Sequence, residues 1–155
     1  MSSYSVRMNR EMLKIKMNLQ FVSLKPEHAA IVPHLRREDV KEIHEMTGLT
    51  PDLPVVYSIV HSEKGYAAIL DDKPVAVFGI HNGLIWLVAT DDIAKYPVTF
   101  YRLSKNLFQS LKSGYSFLHN WVHEDNHLSL RWLKWLGFHV EPEVNHFHHV
   151  WFKEE

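Results

Sequence analysis

Acidic residues stand at two places where the sequence predicts the end of a β-strand. Asp91 follows the apolar run LIWLVAT, and Glu124 and Asp125 follow YSFLHNWVH. A carboxylate held at a strand end can act as a general base when a substrate proton comes within hydrogen-bond reach. Solvated turns carry the same residue types, so both interpretations of Asp91 and Glu124 stay open.

Histidine is abundant, with 12 in 155 residues, and three of these lie close together in NHFHHVW. On a strand, His146 and His148 would share one face, and His139 could supply a third ligand to a metal ion. No carboxylate stands at a convincing spacing from them. We therefore predict ordinary surface and strand-end histidines and no metal site.

Several kinds of functional site are excluded by missing residues. The chain has no cysteine, which rules out a thiolate nucleophile, thiolate-bound zinc and disulfides. No serine nucleophile elbow, glycine-rich phosphate loop or zinc-protease motif occurs. Lys and Arg number 17 against 18 Asp and Glu, so nucleic acid is not an expected partner. No apolar run approaches the roughly 20 residues that span a bilayer.

Residues 1–17 differ from the rest of the chain and are predicted as a basic N-terminal arm on a domain formed by residues 18–155. The arm carries four basic residues against one acidic residue. We expect it to pack on the domain or on a neighbouring molecule, with Arg7 and Arg10 as candidate contact residues. The alternative is a mobile tail, or a leader that precedes a start at Met17.

Hydrophobic periodicity and turn residues predict a mixed α/β domain. The predicted order is one strand, two helices, three strands, a helix, a strand, a helix and a terminal strand or hairpin. DDK and NG mark hairpin turns between the three central strands. Apolar stripes on the first two helices are expected to face the core, namely Val40, Ile43 and Met46, then Leu53, Val56, Ile59 and Val60.

Two of the five tryptophans, Trp132 and Trp135, lie three residues apart on the last predicted helix, beside Arg131 and Lys134. Most of the tryptophan rings are expected to pack in the core or over the sheet. A ring that stays exposed beside arginine would have the composition of a protein-interface anchor. Trp132 and Trp135 are therefore candidate interface residues.

The segment N-x-x-S-L-x-W-L-x-W-L-G-F at 126–138 resembles the final helix of the Gcn5-related N-acetyltransferase (GNAT) superfamily. In this resemblance Asn126 caps the helix, Ser129 is the small residue against the sheet, and Gly137 permits a left-handed exit. The element order over residues 18–152 also resembles that superfamily. The resemblance implies a GNAT-like fold, in which a mixed sheet carries helices on both faces.

A finer resemblance runs from REDVKEI to WLGF and includes PVAVFGI, IWLVAT and NWVHEDNHLSLRWLKWLGF. It is to a small GNAT-like family of short-tailed bacteriophages, whose members are commonly labelled internal virion or virion-assembly proteins. This resemblance implies contacts with other virion or assembly proteins, or self-association. It also implies a location in the host cytoplasm during assembly or inside the virion.

The GNAT resemblance implies three features in an active enzyme. Backbone amides of a glycine-containing loop receive pyrophosphate, whereas the corresponding ATDDIAKYPVTF has no glycine and places Asp91 and Asp92 there. The usual acid is a tyrosine at the position of Leu133, for which Tyr96 or Tyr101 could substitute if the preceding helix turned it inward. The third is a base for the amine, with Asp91, Glu124 and Asp125 as candidates.

If acyl-CoA binds, the resemblance places it against Val88, Ala89, Thr90 and Asn126. Because two of the three features look missing, we expect no cofactor. The favoured interpretation is a phage virion-associated or assembly protein with a degenerate acyl-CoA cleft, acting through protein contacts. The alternative is an acyl-CoA-dependent N-acetyltransferase with a non-standard pyrophosphate loop, using acetyl-CoA.

Overall fold

The computed structural model describes residues 18–155 and, before them, Arg10, Glu11 and Leu13. Most of the predicted basic arm, including Arg7, lies outside the described residues, so its packing stays a prediction. In the described part of the chain, no helix combines the length and the apolar character needed to cross a membrane.

Seven strands form one mixed sheet. In chain order they are β1 (Gln20–Ser23), β2 (Lys64–Leu70), β3 (Lys73–His81), β4 (Leu84–Ala89), β5 (Phe117–His123), β6 (His139–Val140) and β7 (Phe147–Lys153). The helices are a 3-10 helix (Pro26–His34), α1 (Arg37–Thr47), α2 (Asp52–His61), α3 (Asp91–Ala94), α4 (Pro97–Lys112) and α5 (His127–Leu136). The strands lie in the order β1-β2-β3-β4-β5-β7-β6. This architecture confirms the predicted α/β fold class.

Both predicted hairpin turns are confirmed. Asp71 and Asp72 join β2 to β3 with φ values of 50° and 64°, and Asn82 and Gly83 join β3 to β4 with φ values of 50° and 79°. Positive φ at both central residues matches the right-handed twist of the flanking strands. These turns fix the antiparallel β2–β3–β4 meander that places β4 at the centre of the sheet.

Each face of the sheet carries its own hydrophobic core, because alternate residues of β3 point to opposite sides. On one face Phe78 packs against α4 and α5, with its ring centroid 5.4 Å from that of Trp132. On the other face Val77 packs against the 3-10 helix and α2. Several residues of β4 and β5 are buried between these two layers, which holds the two strands in position.

The first helices differ from the sequence prediction. The segment that begins at Pro26 is a 3-10 helix, and Pro33 inside it has no amide proton to donate. The buried face of α1 centres on Asp39, while Met46 is 47% exposed. The expected apolar stripes were therefore wrong in part, as shown by the exposed Val40, Leu53, Val56 and Val60.

Candidate active-site cleft

A cleft opens between β4 and β5, which run parallel in the sheet. Leu84 pairs with His119 at its narrow end, and the Asn120 side chain then donates to the Ile85 carbonyl at 2.7 Å. Beyond this point the strands diverge around a cavity of about 160 Å³. Residues of α1, α2 and α5 close the cavity from both faces of the sheet.

The edge of β4 that faces β5 carries backbone polar groups at every second residue. The carbonyls of Gly83 and Ile85 accept hydrogen bonds from β5, and the amide of Ala89 donates to a side chain across the gap. Because strand backbone alternates with a period of two residues, the N–H and C=O of Leu87 point the same way. These groups are directed into the widening part of the cleft.

A buried polar network crosses the wide end of the cleft. Arg36 forms two hydrogen bonds to Asp39, at 2.7 and 3.1 Å, and its Nη2 also donates to Asn126 Oδ1 at 2.9 Å. The Ala89 amide donates to Asp39 Oδ2 at 2.8 Å. Arg36, Asp39 and Asn126 are each at most 4% exposed. The start of α1 thus joins the end of β4 to the start of α5.

Glu42 lies one turn further along α1, on the wall of the cavity. Its Oε2 accepts from the His123 amide at 2.7 Å and from Asn126 Nδ2 at 3.2 Å. Burial raises the pKa of Glu42 to about 7, and the nearby charge of Asp39 contributes in the same direction. The carboxyl group therefore changes its charge near neutral pH.

Sequence reasoning missed Glu42, although one signal was present. Arg36, Asp39 and Glu42 recur every three residues, which puts three charged side chains on one side of a helix. Such a stripe is normally solvated, and its partners Asn126 and His123 lie more than 80 residues away in the chain. The charged stripe would have indicated a buried site only if the fold that brings Asn126 and His123 next to it had been known.

The predicted role of Asn126 as a helix cap is confirmed. Its Oδ1 accepts from the Ser129 amide at 3.3 Å, and α5 ends at Gly137 with a φ of 103°. The Asn126 side chain is fully buried and also bonds to Arg36, Asp39 and Glu42. The geometry makes Asn126 a support of the cleft, and the direct cofactor contact implied by the resemblance stays a prediction.

Two backbone amides at the end of β4 are already bonded within the chain. The Ala89 amide is bound to Asp39, and the Thr90 amide donates to the Val75 carbonyl at 2.9 Å. Asp91 and Asp92 are exposed at the start of the four-residue α3. With Asp72 they line a second cavity of about 480 Å³. The nucleotide end of an acyl-CoA would therefore meet carboxylates here.

Two buried hydroxyls have no hydrogen-bond partner among the described residues. Ser129 Oγ belongs to a residue on the wall of the 160 Å³ cavity, and Thr90 Oγ1 lies at the end of β4. Leu133, at the position where the resemblance implies an acid, lines the same cavity. An unsatisfied buried hydroxyl is costly, so a ligand group that bonds Ser129 would be stabilised.

The remaining candidate catalytic residues lie elsewhere. Glu124 forms a surface pair with His146 at 3.0 Å, and that hydrogen bond raises the pKa of His146. The Tyr96 hydroxyl donates to Glu11 of the N-terminal segment. Neither Glu124 nor Tyr96 lines the cavity between β4 and β5. Within the described part of the chain, no group of three potential ligands could hold a metal ion.

The two candidate interface tryptophans have different environments. Trp132 is 1% exposed, and its Nε1 donates to Ser104 Oγ at 2.9 Å in the core. Its assignment as an interface residue was therefore wrong, because the ring fills the space between α4, α5 and the sheet. Trp135 is 36% exposed, with Lys105 Nζ at 5.8 Å from its ring. Arg10 is also exposed.

Comparison with known proteins gives structural matches without sequence matches. No protein-family model matches the chain, and no curated protein matches it. The PaiA N-acetyltransferase from Thermoplasma acidophilum, in complex with coenzyme A, aligns with a TM-score of 0.61 and 13% identity over 88% of this chain and 99% of that chain. The GNAT domain of S. lividans PAT aligns with a TM-score of 0.60 and 10% identity over 88% and 90%.

A third similar structure is AAC(6')-Ib in complex with ribostamycin and coenzyme A, with a TM-score of 0.58 and 14% identity over 88% of this chain and 93% of that chain. The comparisons give no support to the finer resemblance to phage virion proteins. Together with the sheet order and the diverging parallel strands, they show that this chain has the GNAT acetyltransferase fold.

Proposed function

We propose that the chain is an N-acyltransferase that takes its acyl group from an acyl-CoA and holds the thioester end of this donor between β4 and β5. The observation that carries the proposal is the cavity at the divergence of these two parallel strands. Similar structures, the PaiA and AAC(6')-Ib enzymes, have coenzyme A bound. This favours the enzyme over the virion-protein interpretation of the sequence.

The residues of the cleft fit one end of the donor better than the other. Ser129 Oγ is buried without a described partner on the cavity wall, and the backbone groups of Leu87 point into the gap. Both could bond the amide and carbonyl groups of a pantetheine thioester. Asp91 and Asp92 would repel the phosphates at the other end. We therefore expect weak binding, carried by the thioester end.

Isothermal titration of acetyl-CoA and CoA into the full chain tests the proposal. We expect saturable binding with a Kd of about 100 μM, or roughly 5.5 kcal/mol. Ser129→Ala should weaken it several-fold because a hydrogen-bond partner is lost. Ser110→Ala, a matched change on the exposed side of α4, should have no effect. Absence of both heat and thermal stabilisation at millimolar acetyl-CoA would refute the proposal.

A second candidate function is a cofactor-free scaffold that acts through protein contacts, as in the phage virion-assembly proteins that the sequence resembles. Two observations favour it. Asp39 binds the Ala89 amide, so the wide end of the cleft is closed by the chain itself. The outer side of α2 is also apolar and exposed, with Leu53 at 64% and Val60 at 55%.

The scaffold makes a different prediction for the same purified chain. The acetyl-CoA titration should give no heat of binding. Sedimentation over a range of protein concentrations should show reversible self-association. Leu53→Asp should abolish the association because a charge replaces an exposed apolar contact. A chain that stays monomeric at every concentration, or an oligomer that survives Leu53→Asp, would contradict self-association through α2.

A further inference from the structure

We propose that the part of the cavity between α1, α2 and the sheet binds a primary amine carried on an apolar group, with Glu42 as the carboxylate that accepts hydrogen bonds from the amine. This site would receive the acceptor of the acyltransferase proposed above, and in that sense rests on it. Its ligand can nevertheless be tested without any acyl donor.

Glu42 is held so that one carboxyl oxygen is occupied and the other is available. Oε2 accepts from the His123 amide and from Asn126 Nδ2, at 2.7 and 3.2 Å. Oε1 has no hydrogen-bond partner in residues 18–155 or in the described residues before them. The side chain is half-buried and lines the cavity. A fixed carboxylate with a free oxygen on a cavity wall is suited to an ammonium group.

The other walls define the rest of the ligand. On this side of the sheet the lining is mostly apolar and aromatic, formed by Ile43, Met46, Pro54, Val55, Trp86 and Trp121. A second positive charge on the ligand would be desolvated against these side chains without a partner. The cavity therefore favours a monoamine with a compact apolar body over a polyamine.

Charged groups around Glu42 come from every element packed against it. Arg36 and Asp39 form a buried ion pair on α1, and Glu45 accepts from His123 Nε2 at 2.6 Å. The Asp125 amide donates to His123 Nδ1, so His123 has both ring nitrogens engaged. Of these described carboxylates, Glu42 is the one that lines the cavity. Its pKa, raised by burial to about 7, makes binding depend on pH.

The test is isothermal titration of benzylamine into the full chain near pH 6 and pH 8. Benzylamine stays protonated at both, while the ionised fraction of Glu42 rises about tenfold when its pKa is about 7. We therefore expect about tenfold tighter binding at the higher pH. Glu42→Gln should abolish this pH dependence and bind weakly at both. The same titration with benzyl alcohol, a neutral analogue, should show no pH effect.

Glu38→Gln is the matched control, since Glu38 is exposed on the same helix. It should keep both the affinity and its pH dependence, because Glu38 does not line the cavity. Absence of saturable binding up to about 10 mM benzylamine, or an unchanged pH dependence in Glu42→Gln, would overturn the proposal. If the chain binds benzylamine as expected but does not bind acetyl-CoA, the result would support the amine site and refute the acyltransferase.

Discussion

The two ends of the β4–β5 cleft differ in what fills the gap between the strands. At the narrow end the two strands are joined by hydrogen bonds. The His119 amide donates to the Gly83 carbonyl, and the Asn120 side chain donates to the Ile85 carbonyl. At the wide end charged side chains of α1 fill the gap, and Asp39 accepts a hydrogen bond from the Ala89 amide of β4. Between these ends lies the apolar cavity with its unsatisfied hydroxyl.

This difference shows where the fold needs a ligand and where it does not. Diverging parallel strands give up hydrogen bonds to each other, and each buried polar group so released needs another partner. The chain supplies that partner itself at both ends, through Asn120 and Asp39. In the middle, Ser129 of α5 lines the cavity, and its hydroxyl has no hydrogen-bond partner among the described residues. A bound molecule is therefore expected in the middle of the cleft, and the wide end is a structural support.

The largest expected effect comes from removing the support at the wide end. Arg36→Met would leave Asp39 buried without its ion pair and should lower the free energy of unfolding by about 3–5 kcal/mol. Urea denaturation followed by tryptophan fluorescence measures this change. Lys41→Met is the matched control, since its pair with Asp125 is exposed and should contribute little to stability.

Equal losses of stability in Arg36→Met and Lys41→Met would contradict the structural role given to the wide end. They would mean that the buried ion pair between Arg36 and Asp39 contributes no more than a surface ion pair. The wide end could then open to admit a cofactor at little cost. The closed geometry would no longer argue against acyl-CoA entering there.

Local signals in the sequence sufficed for much of the fold. The turns at 71–72 and 82–83, the cap at Asn126 and the exit at Gly137 each depend on a few adjacent residues. The burial of the charged stripe of α1 could not be predicted from adjacent residues. Asp39 and its neighbours are buried by contacts with β4 and α5, and helical periodicity does not reveal such distant partners.

The candidate site was harder to predict for the same reason. Asp91 and Glu124 were chosen because they stand at strand ends, where residues also meet solvent, and Tyr96 was chosen as a substitute for the tyrosine that the resemblance implies at Leu133. The structure instead brings Glu42 and Ser129 to the cavity from two helices, and Asn126 contacts both.

A smaller effect is expected from the ionisation of Glu42, between the two ends. Its pKa is about 7 in the folded chain against 4.5 in the reference state, so over this pH range the unfolded chain releases a proton that the folded chain keeps. The free energy of unfolding therefore falls as pH rises from 4.5 to 7 and stays level above. Relative to Glu42→Gln, the wild type should lose about 2 kcal/mol between pH 5 and pH 8.

Urea denaturation of both proteins across this range measures the difference. Glu38→Gln should track the wild type, because that side chain is exposed. A constant difference between wild type and Glu42→Gln would mean that Glu42 is ionised throughout. The expected pH dependence of amine binding would then disappear as well.

The smallest expected effect concerns the acidic segment after β4. Changing Asp91 and Asp92 to asparagine removes two exposed negative charges near the expected position of the donor phosphates. Acetyl-CoA should then bind about fivefold tighter, roughly 1 kcal/mol, and the gain should shrink at high salt. Titration of acetyl-CoA into the double variant at two salt concentrations measures both effects.

Glu154→Gln with Glu155→Gln makes the same change in net charge at the C-terminus, where Glu154 pairs with Lys112 at the far end of α4. That control separates local repulsion from the effect of overall charge, and should leave the affinity unchanged. If the Asp91 and Asp92 changes weakened binding instead, these carboxylates would belong to the donor site. The donor would then bind at the wide end of the cleft, which would be a binding site and not only a structural support.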